Sequence, residues 1–246
     1  MGVLWAAAEL TVTVGVVLLL LVVHQVWWTN RQAAAAAQEQ VRALERAWGD
    51  DPPPSSASAS ASASPSVLPS VSSSVSPSGG PAVVPSSPPP PPAGPAGAGA
   101  RERAYAVLRI PRLGLVVPVA QGIDKRAVLD KGYAGQYPGT AGPGERGNFA
   151  LAGHRNTHGE PFRYVNRLRA GDELIVDVRG RRYTYVVGKV LSETTERDTG
   201  VIAPVPRSVV KPEYGYSEPG AYITLTTCTP EYSSKYRLVV WGTLRR

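Results

Sequence analysis

The stretch that most constrains this chain is residues 50–100, "DDPPPSSASASASASPSVLPSVSSSVSPSGGPAVVPSSPPPPPAGPAGAGA". It is almost entirely Ser, Pro, Ala, Gly and Val, so it cannot bury enough apolar surface to offset the entropy of ordering it. Its proline runs favour a disordered but semi-extended linker. Composition leaves open whether that linker spans a polymer layer or is passive. In either case it divides the 246 residues into an N-terminal segment and one unit, 101–246, long enough for a real core.

The N-terminal segment is apolar. Leu10–Trp28, "LTVTVGVVLLLLVVHQVWW", has His24 and Gln25 as its strongly polar residues, both near the end. With residues 3–8 in front, interrupted by Glu9, it is long enough as a helix to cover a hydrocarbon core of about 30 Å. Trp27 and Trp28 suit an interfacial aromatic belt. A cleaved signal peptide is the rival, since "AAAAA" at 33–37 offers small residues. However, a basic leading region is missing, and two tryptophans separate the apolar run from the alanines. Residues 1–29 therefore read as a single transmembrane anchor, and 30–49, rich in helix formers, as a juxtamembrane helix. Arg31, Arg42 and Arg46 follow the span, which by charge alone argues against an exported body. The extracellular assignment of the folded unit therefore rests on other grounds.

Residues 101–246 alternate Val, Ile, Leu and Tyr with Gly, Pro, Asp and Asn punctuation. Strands are predicted at 104–110, 115–121, 147–153, 172–179, 181–191, 221–228 and 236–244, with a hairpin about Gly180. Only 124–130 and 160–168 look helical, and both are short. Many short strands with turn signals imply a mostly-β closed or nearly closed barrel.

The formal charge of +7 suits anionic lipid, wall polymer or nucleic acid. No nucleic-acid motif accompanies it, so a solvated basic surface is expected and a nucleic-acid partner is not. One cysteine, Cys228, excludes an internal disulfide and any multi-cysteine metal site. It is either an inert buried thiol or a reactive one. In "YITLTTC" the side chains alternate. Ile223, Leu225 and Thr227 share one face; Tyr222, Thr224, Thr226 and Cys228 share the more polar one. Cys228 thus ends a strand where a cleft could expose it, and a hairpin through "TPEYSSKY" returns Arg237 to the same end. His154 follows the apolar strand "FALA" after a glycine, again at a strand end. His158 lies four residues on among turn formers. That spacing binds zinc on a helix, but "HRNTHGEP" does not read as one, and no third ligand is evident, so no metal is expected.

"TLTTC" resembles the T-L-x-T-C signature of sortases, the cysteine transpeptidases that attach proteins to Gram-positive cell walls. "LAGHR" is similar to the segment carrying their histidine, and the arginine follows in the next strand. The resemblance covers residues 104–245 and is closest in pattern to class E sortases, through "YPGTAGPGERGNFALAGHRNTHGEPF" and "LTTCTP"; the anchor-plus-linker layout matches too. One departure is Thr229, where many members carry histidine, which touches only fine substrate preference. The resemblance implies a closed eight-stranded barrel with short helices and no cofactor. Cys228 would be the nucleophile, His154 the acid/base and Arg237 the cation that stabilises the oxyanion, with Tyr137 and Thr227 at the substrate; Tyr133 is the weaker tyrosine candidate.

The implied partners are secreted proteins with a C-terminal L-A-x-T-G-like signal and the amine of a peptidoglycan precursor. The implied location is the cell membrane, with the catalytic unit outside. At ordinary pKa values near 8.5 and 6.5, only about 1% of molecules would hold both thiolate and imidazolium at pH 7, so a cation beside the thiol matters. A second cysteine would quench such a thiol. Two other readings remain: a wall cysteine peptidase or amidase, and a non-catalytic wall-binding barrel. The first usually sets its nucleophile at a helix start, whereas Cys228 ends a strand; the second would leave the thiol inert.

Overall fold

The computed structural model describes residues 2–49 and 103–245, so the predicted linker lies outside the described residues. The N-terminal segment is one continuous helix, α1 (Gly2–Gly49). Its large apolar side chains from Leu10 to Trp28 are exposed. It contains a window of mean hydropathy 2.2, none of it covered by the rest of the protein, long and apolar enough to cross a membrane. That fits a membrane anchor or a signal sequence. The continuation beyond Trp28 was expected; its docking onto the folded unit was not.

Ala37 and Val41 of α1 are buried. Asn30 Nδ2 donates to Glu160 Oε1 at 2.8 Å, and Glu45 pairs with Arg109. Two glycines let the backbones close. A Cβ on Gly132 (φ 78°) would lie 3.2 Å from the Ala33 carbonyl oxygen, and one on Gly159 (φ 83°) 3.0 Å from Ala34 N. Both glycines hold the left-handed conformation that side chains resist.

The folded unit has eight strands: β1 (Ala104–Ile110), β2 (Leu115–Gln121), β3 (Ala134–Gln136), β4 (Gly147–Ala152), β5 (Glu173–Val178), β6 (Arg181–Thr194), β7 (Ala221–Thr229) and β8 (Tyr236–Leu244). They close into a barrel in the order β1-β2-β3-β4-β7-β8-β6-β5, with β5 returning to β1. The β2/β3 and β4/β7 pairs are parallel and the rest antiparallel. Seven strands fall where the sequence pattern set them; β3, three residues long, carries no readable alternation.

The helices expected at 124–130 and 160–168 are corrected to single 3-10 turns at Leu129–Lys131 and Val165–Arg167. The first ends at left-handed Gly132; ahead of the second, Glu160 has positive φ and Pro161 lacks an N–H. The β5–β6 hairpin turns at Arg179–Gly180, both at positive φ, which matches the right-handed twist of the paired strands.

Alternation along the strands fills the interior with Leu108, Val119, Leu151, Val176, Ile223 and Val240 among others. A smaller apolar cluster forms outside the barrel. Trp241 packs with Leu191, Val201 and Val239, and its indole N–H donates to Val201 O at 3.0 Å. This clamps the β6–β7 connection over the sheet. Buried Asp198 orders the same connection, accepting from Thr194 Oγ1, Ser208 Oγ and the Val209 N–H. The β6–β7 connection thereby covers part of the outer face of β4 and β7, where Asn148, Thr224 and Thr226 are buried.

Candidate active site

The parallel pairing of β4 and β7 is what builds the site. Ala152 is opposite Thr226 in register, so both strands leave the barrel at the same end. His154 and Cys228 each lie two residues beyond that pair. Gly153 N donates to Thr226 O at 3.1 Å, and Phe162 N to His154 O at 2.9 Å, which fixes the backbone on either side of the imidazole. Cys228 is half-buried on the outer face, and its direct partner across the β7/β8 ladder is Arg237. Directly opposed residues present their side chains to one face.

The guanidinium of Arg237 is held at that end by three acceptors. Nη1 donates to Ser234 O at 2.7 Å and to Tyr236 O at 3.1 Å, while Nη2 reaches Glu196 Oε2 at 3.4 Å. The imidazole of His154 is engaged by a group the sequence reading missed: its Nε2 lies 2.8 Å from Asp130 Oδ1. Among the described residues no hydrogen bond joins His154 to Cys228. Strand order thus brings thiol, imidazole and guanidinium to one rim, with the imidazole parked on a carboxylate. Burial pushes the His154 pKa below its ordinary value; the hydrogen bond and charge of Asp130 oppose this, while His158 and Lys125 add to it. At neutral pH the contact is a hydrogen bond from a neutral ring.

Arg155, the last residue of the "LAGHR" motif, turns inward and is buried. Its Nη1 donates to Cys228 O at 3.2 Å and to Thr229 Oγ1 at 2.8 Å. Thr229 therefore has a defined job, anchoring the arginine that grips the carbonyl of the cysteine. Motif reading put Arg155 next to His154 in sequence, but nothing in the sequence said which way it would point. Asp130 lies 24 positions upstream of His154 on the Leu129–Lys131 turn, and barrel closure alone brings the two together.

Tyr137, at the β3–β4 turn, packs against the outer face of β7. Its hydroxyl is 2.9 Å from Thr226 Oγ1, on the face shared with Cys228 two residues on. Thr226 has one hydroxyl proton, and it goes to Leu151 O at 3.2 Å. In the arrangement that satisfies both bonds Tyr137 donates to Thr226, which leaves the lone pairs of its own oxygen free to accept. A cavity of about 320 Å³ opens beside it, lined by Gln121, Gly122, Gln136, Tyr137, Pro138, Gly139 and Thr140 and reaching none of Cys228, His154 or Arg237.

Thr227, expected at the substrate, is buried on the opposite face, and its hydroxyl donates to Gly153 O at 2.8 Å. Strand alternation turns it inward, where it fastens β7 to the end of β4. His158 stands beside His154, ring centroids 5.3 Å apart, with Nδ1 3.5 Å from Asp130 Oδ1. Asp130 is a third potential ligand that the sequence reading did not find, and with both histidines it forms a set whose donor atoms all lie within 4.8 Å of one another.

The sortase domain family matches residues 108–245, more than half of the chain. Sortase SrtE1 of Streptomyces coelicolor is 48% identical over 145 residues, covering 57% of this chain and 40% of that protein. Sortase SrtE2 of the same organism is 34% identical over 160 residues, covering 62% and 61%. The chain thus spans about half the length of these curated relatives. Among solved structures, the crystal structure of sortase E1 from S. coelicolor with a tripeptide in the active site superposes with a TM-score of 0.56 at 46% identity, covering 60% of this chain and 91% of that one. Sortase E from Streptomyces avermitilis gives 0.52 at 42% identity, covering 59% and 90%.

Proposed function

The chain belongs to the sortase family of cysteine transpeptidases, and from that premise we propose that it is a membrane-anchored class E-type enzyme. It cleaves a C-terminal L-A-x-T-G-like signal between Thr and Gly and transfers the protein to a cell-wall amine. The observation that carries this reading is the parallel β4/β7 register, with Arg237 opposite Cys228 in the adjoining strand. Residues 1–29 serve as the anchor, 30–49 as the juxtamembrane helix, 50–100 as the linker and 101–246 as the catalytic unit, held outside the membrane.

The Cys228 thiolate attacks the threonine carbonyl, forming a C–S bond and a tetrahedral oxyanion that Arg237 stabilises. The C–N bond to glycine breaks as the His154 imidazolium gives its proton to the leaving amine. The amine of a peptidoglycan precursor then attacks the thioester, His154 takes up the proton, and the thiolate is released. Asp130 accepts from Nε2–H, so Nδ1 is the nitrogen left for proton exchange. Because burial lowers the His154 pKa, the imidazolium is scarcer at neutral pH than an ordinary histidine would supply. The Asp130 bond works against that loss. Tyr137, with an oxygen free to accept, meets the backbone N–H of the signal's alanine, which proline lacks.

The test is mass spectrometry of products from a panel of sorting-signal peptides, with and without an amine acceptor. Scission between Thr and Gly, an acyl-enzyme on Cys228 and amine-dependent ligation are expected. Hydrolysis that no amine diverts would make the chain a peptidase instead.

A further inference from the structure

We propose that Asp130, His154 and His158 form a binding site for a divalent transition ion of the Zn²⁺ class, and that occupancy switches off proton transfer at His154. The first half stands on geometry alone; the second rests on the proposed role of His154.

Asp130 Oδ1 lies 2.8 Å from His154 Nε2 and 3.5 Å from His158 Nδ1, and all the donor atoms lie within 4.8 Å of one another. Zn–N and Zn–O bonds of about 2.0–2.1 Å place tetrahedral ligand atoms roughly 3.3 Å apart. The separations of Asp130 from the two histidines bracket that value. An ordinary His154–Asp130 hydrogen bond would not require His158 at all. Yet His158 Nδ1 is shut off from solvent and lacks a hydrogen-bond partner, its distance to Asp130 being too long. A buried ring nitrogen without a partner is costly unless something else satisfies it. The His158 backbone also holds φ 53°, a conformation that non-glycine residues avoid.

The three ligands sit on two separate pieces of chain. Packing of Gly132 and Gly159 against α1, and the Asn30–Glu160 hydrogen bond, support both pieces from behind. Two imidazoles with one carboxylate select Zn²⁺, Co²⁺ or Ni²⁺ over Ca²⁺ and Mg²⁺, which prefer oxygen. With three protein ligands, a fourth position is left for water.

The consequence for His154 follows from its two nitrogens. An ion on Nε2 displaces the proton there, which moves to Nδ1, and the ring remains neutral. A metal-bound ring with Nδ1–H cannot take a second proton, so no imidazolium forms and the leaving amine goes unprotonated.

The experiment uses the full-length chain in detergent after chelator treatment. Co²⁺ is titrated by visible spectroscopy and Zn²⁺ by calorimetry, on wild type, His158→Ala, Asp130→Asn and Cys228→Ala. One equivalent of tetrahedral-type Co²⁺ bands, displaced by Zn²⁺, is expected in wild type and in Cys228→Ala. Loss of a ligand should weaken binding by at least about tenfold in each of His158→Ala and Asp130→Asn. Zn²⁺ should inhibit ligation reversibly, with a midpoint that moves in His158→Ala by the same factor as the affinity. No binding in wild type, binding as tight as wild type in either ligand variant, or loss of the bands in Cys228→Ala would overturn the site. Ligation measured in chelator tests the transpeptidase reading separately: a chain inactive there but binding Co²⁺ refutes that reading and leaves the site standing.

Discussion

Replacing Tyr137 by phenylalanine removes one oxygen and leaves the ring. In the folded protein that oxygen donates to Thr226 Oγ1 at 2.9 Å, while Thr226 keeps its own bond to Leu151 O. No buried group is left wholly unpaired, so the stability cost should fall in the range of one net hydrogen bond, about 0.5–1.5 kcal/mol. The functional cost is selective. If the free lone pair of Tyr137 accepts the N–H of a substrate alanine, the same 0.5–1.5 kcal/mol becomes about two- to twelvefold in the specificity constant. A proline peptide has no N–H to donate and should be indifferent. The assay compares kcat/KM for L-A-x-T-G and L-P-x-T-G peptides in wild type and Tyr137→Phe, with a denaturant titration to hold stability in view. The alanine value should fall two- to twelvefold while the proline value stays put. An equal fall for both peptides would assign Tyr137 to packing, and an unchanged ratio would remove the hydroxyl from recognition. A wild-type preference for proline would refute the signal class itself.

Cys228→Ala should abolish ligation. His154→Ala and Arg237→Ala should each cost at least about a hundredfold, less than additively in combination because they serve one transition state; near-normal turnover in His154→Ala would reassign the proton carrier. Arg155→Leu should lower stability by about 1.5–3 kcal/mol in urea unfolding, since Thr229 Oγ1 and Cys228 O lose a charged donor. Stability should also fall as pH drops below about 6.5, because burial holds the His154 pKa below its unfolded value, so the unfolded chain takes up the proton first. Asp130 restrains that loss and His158 and Lys125 aggravate it; His154→Gln should flatten the slope between pH 7.5 and 5.5, and an unchanged slope would put the titration elsewhere. A chain starting at Arg101 should unfold cooperatively and ligate peptide in solution, since the eight strands close among themselves and α1 adds Ala37, Val41, backbone contacts at Gly132 and Gly159 and a few polar links; a broad, non-cooperative transition would show that α1 completes the fold.

Local chemistry determined a large part of this protein. Alternation of apolar and polar residues located seven of the eight strands, because the pleat imposes period two on any strand with one buried face. Unbroken hydrophobicity from Leu10 to Trp28 announced a long apolar helix, and "TLTTC" with "LAGHR" named the residues at two strand ends. The tertiary structure decided everything that depends on which strands become neighbours. Closing the barrel set β7 parallel beside β4, turning two motifs 74 positions apart into one rim (228 − 154 = 74). It also carried Asp130 onto His154, buried Arg155 under the cysteine, set Tyr137 against Thr226 and turned the Thr227 hydroxyl onto Gly153 O. Side-chain period is a property of the strand alone, whereas pairing order minimises exposed apolar surface and unpaired backbone over the whole chain, and a residue's partner follows from that global choice.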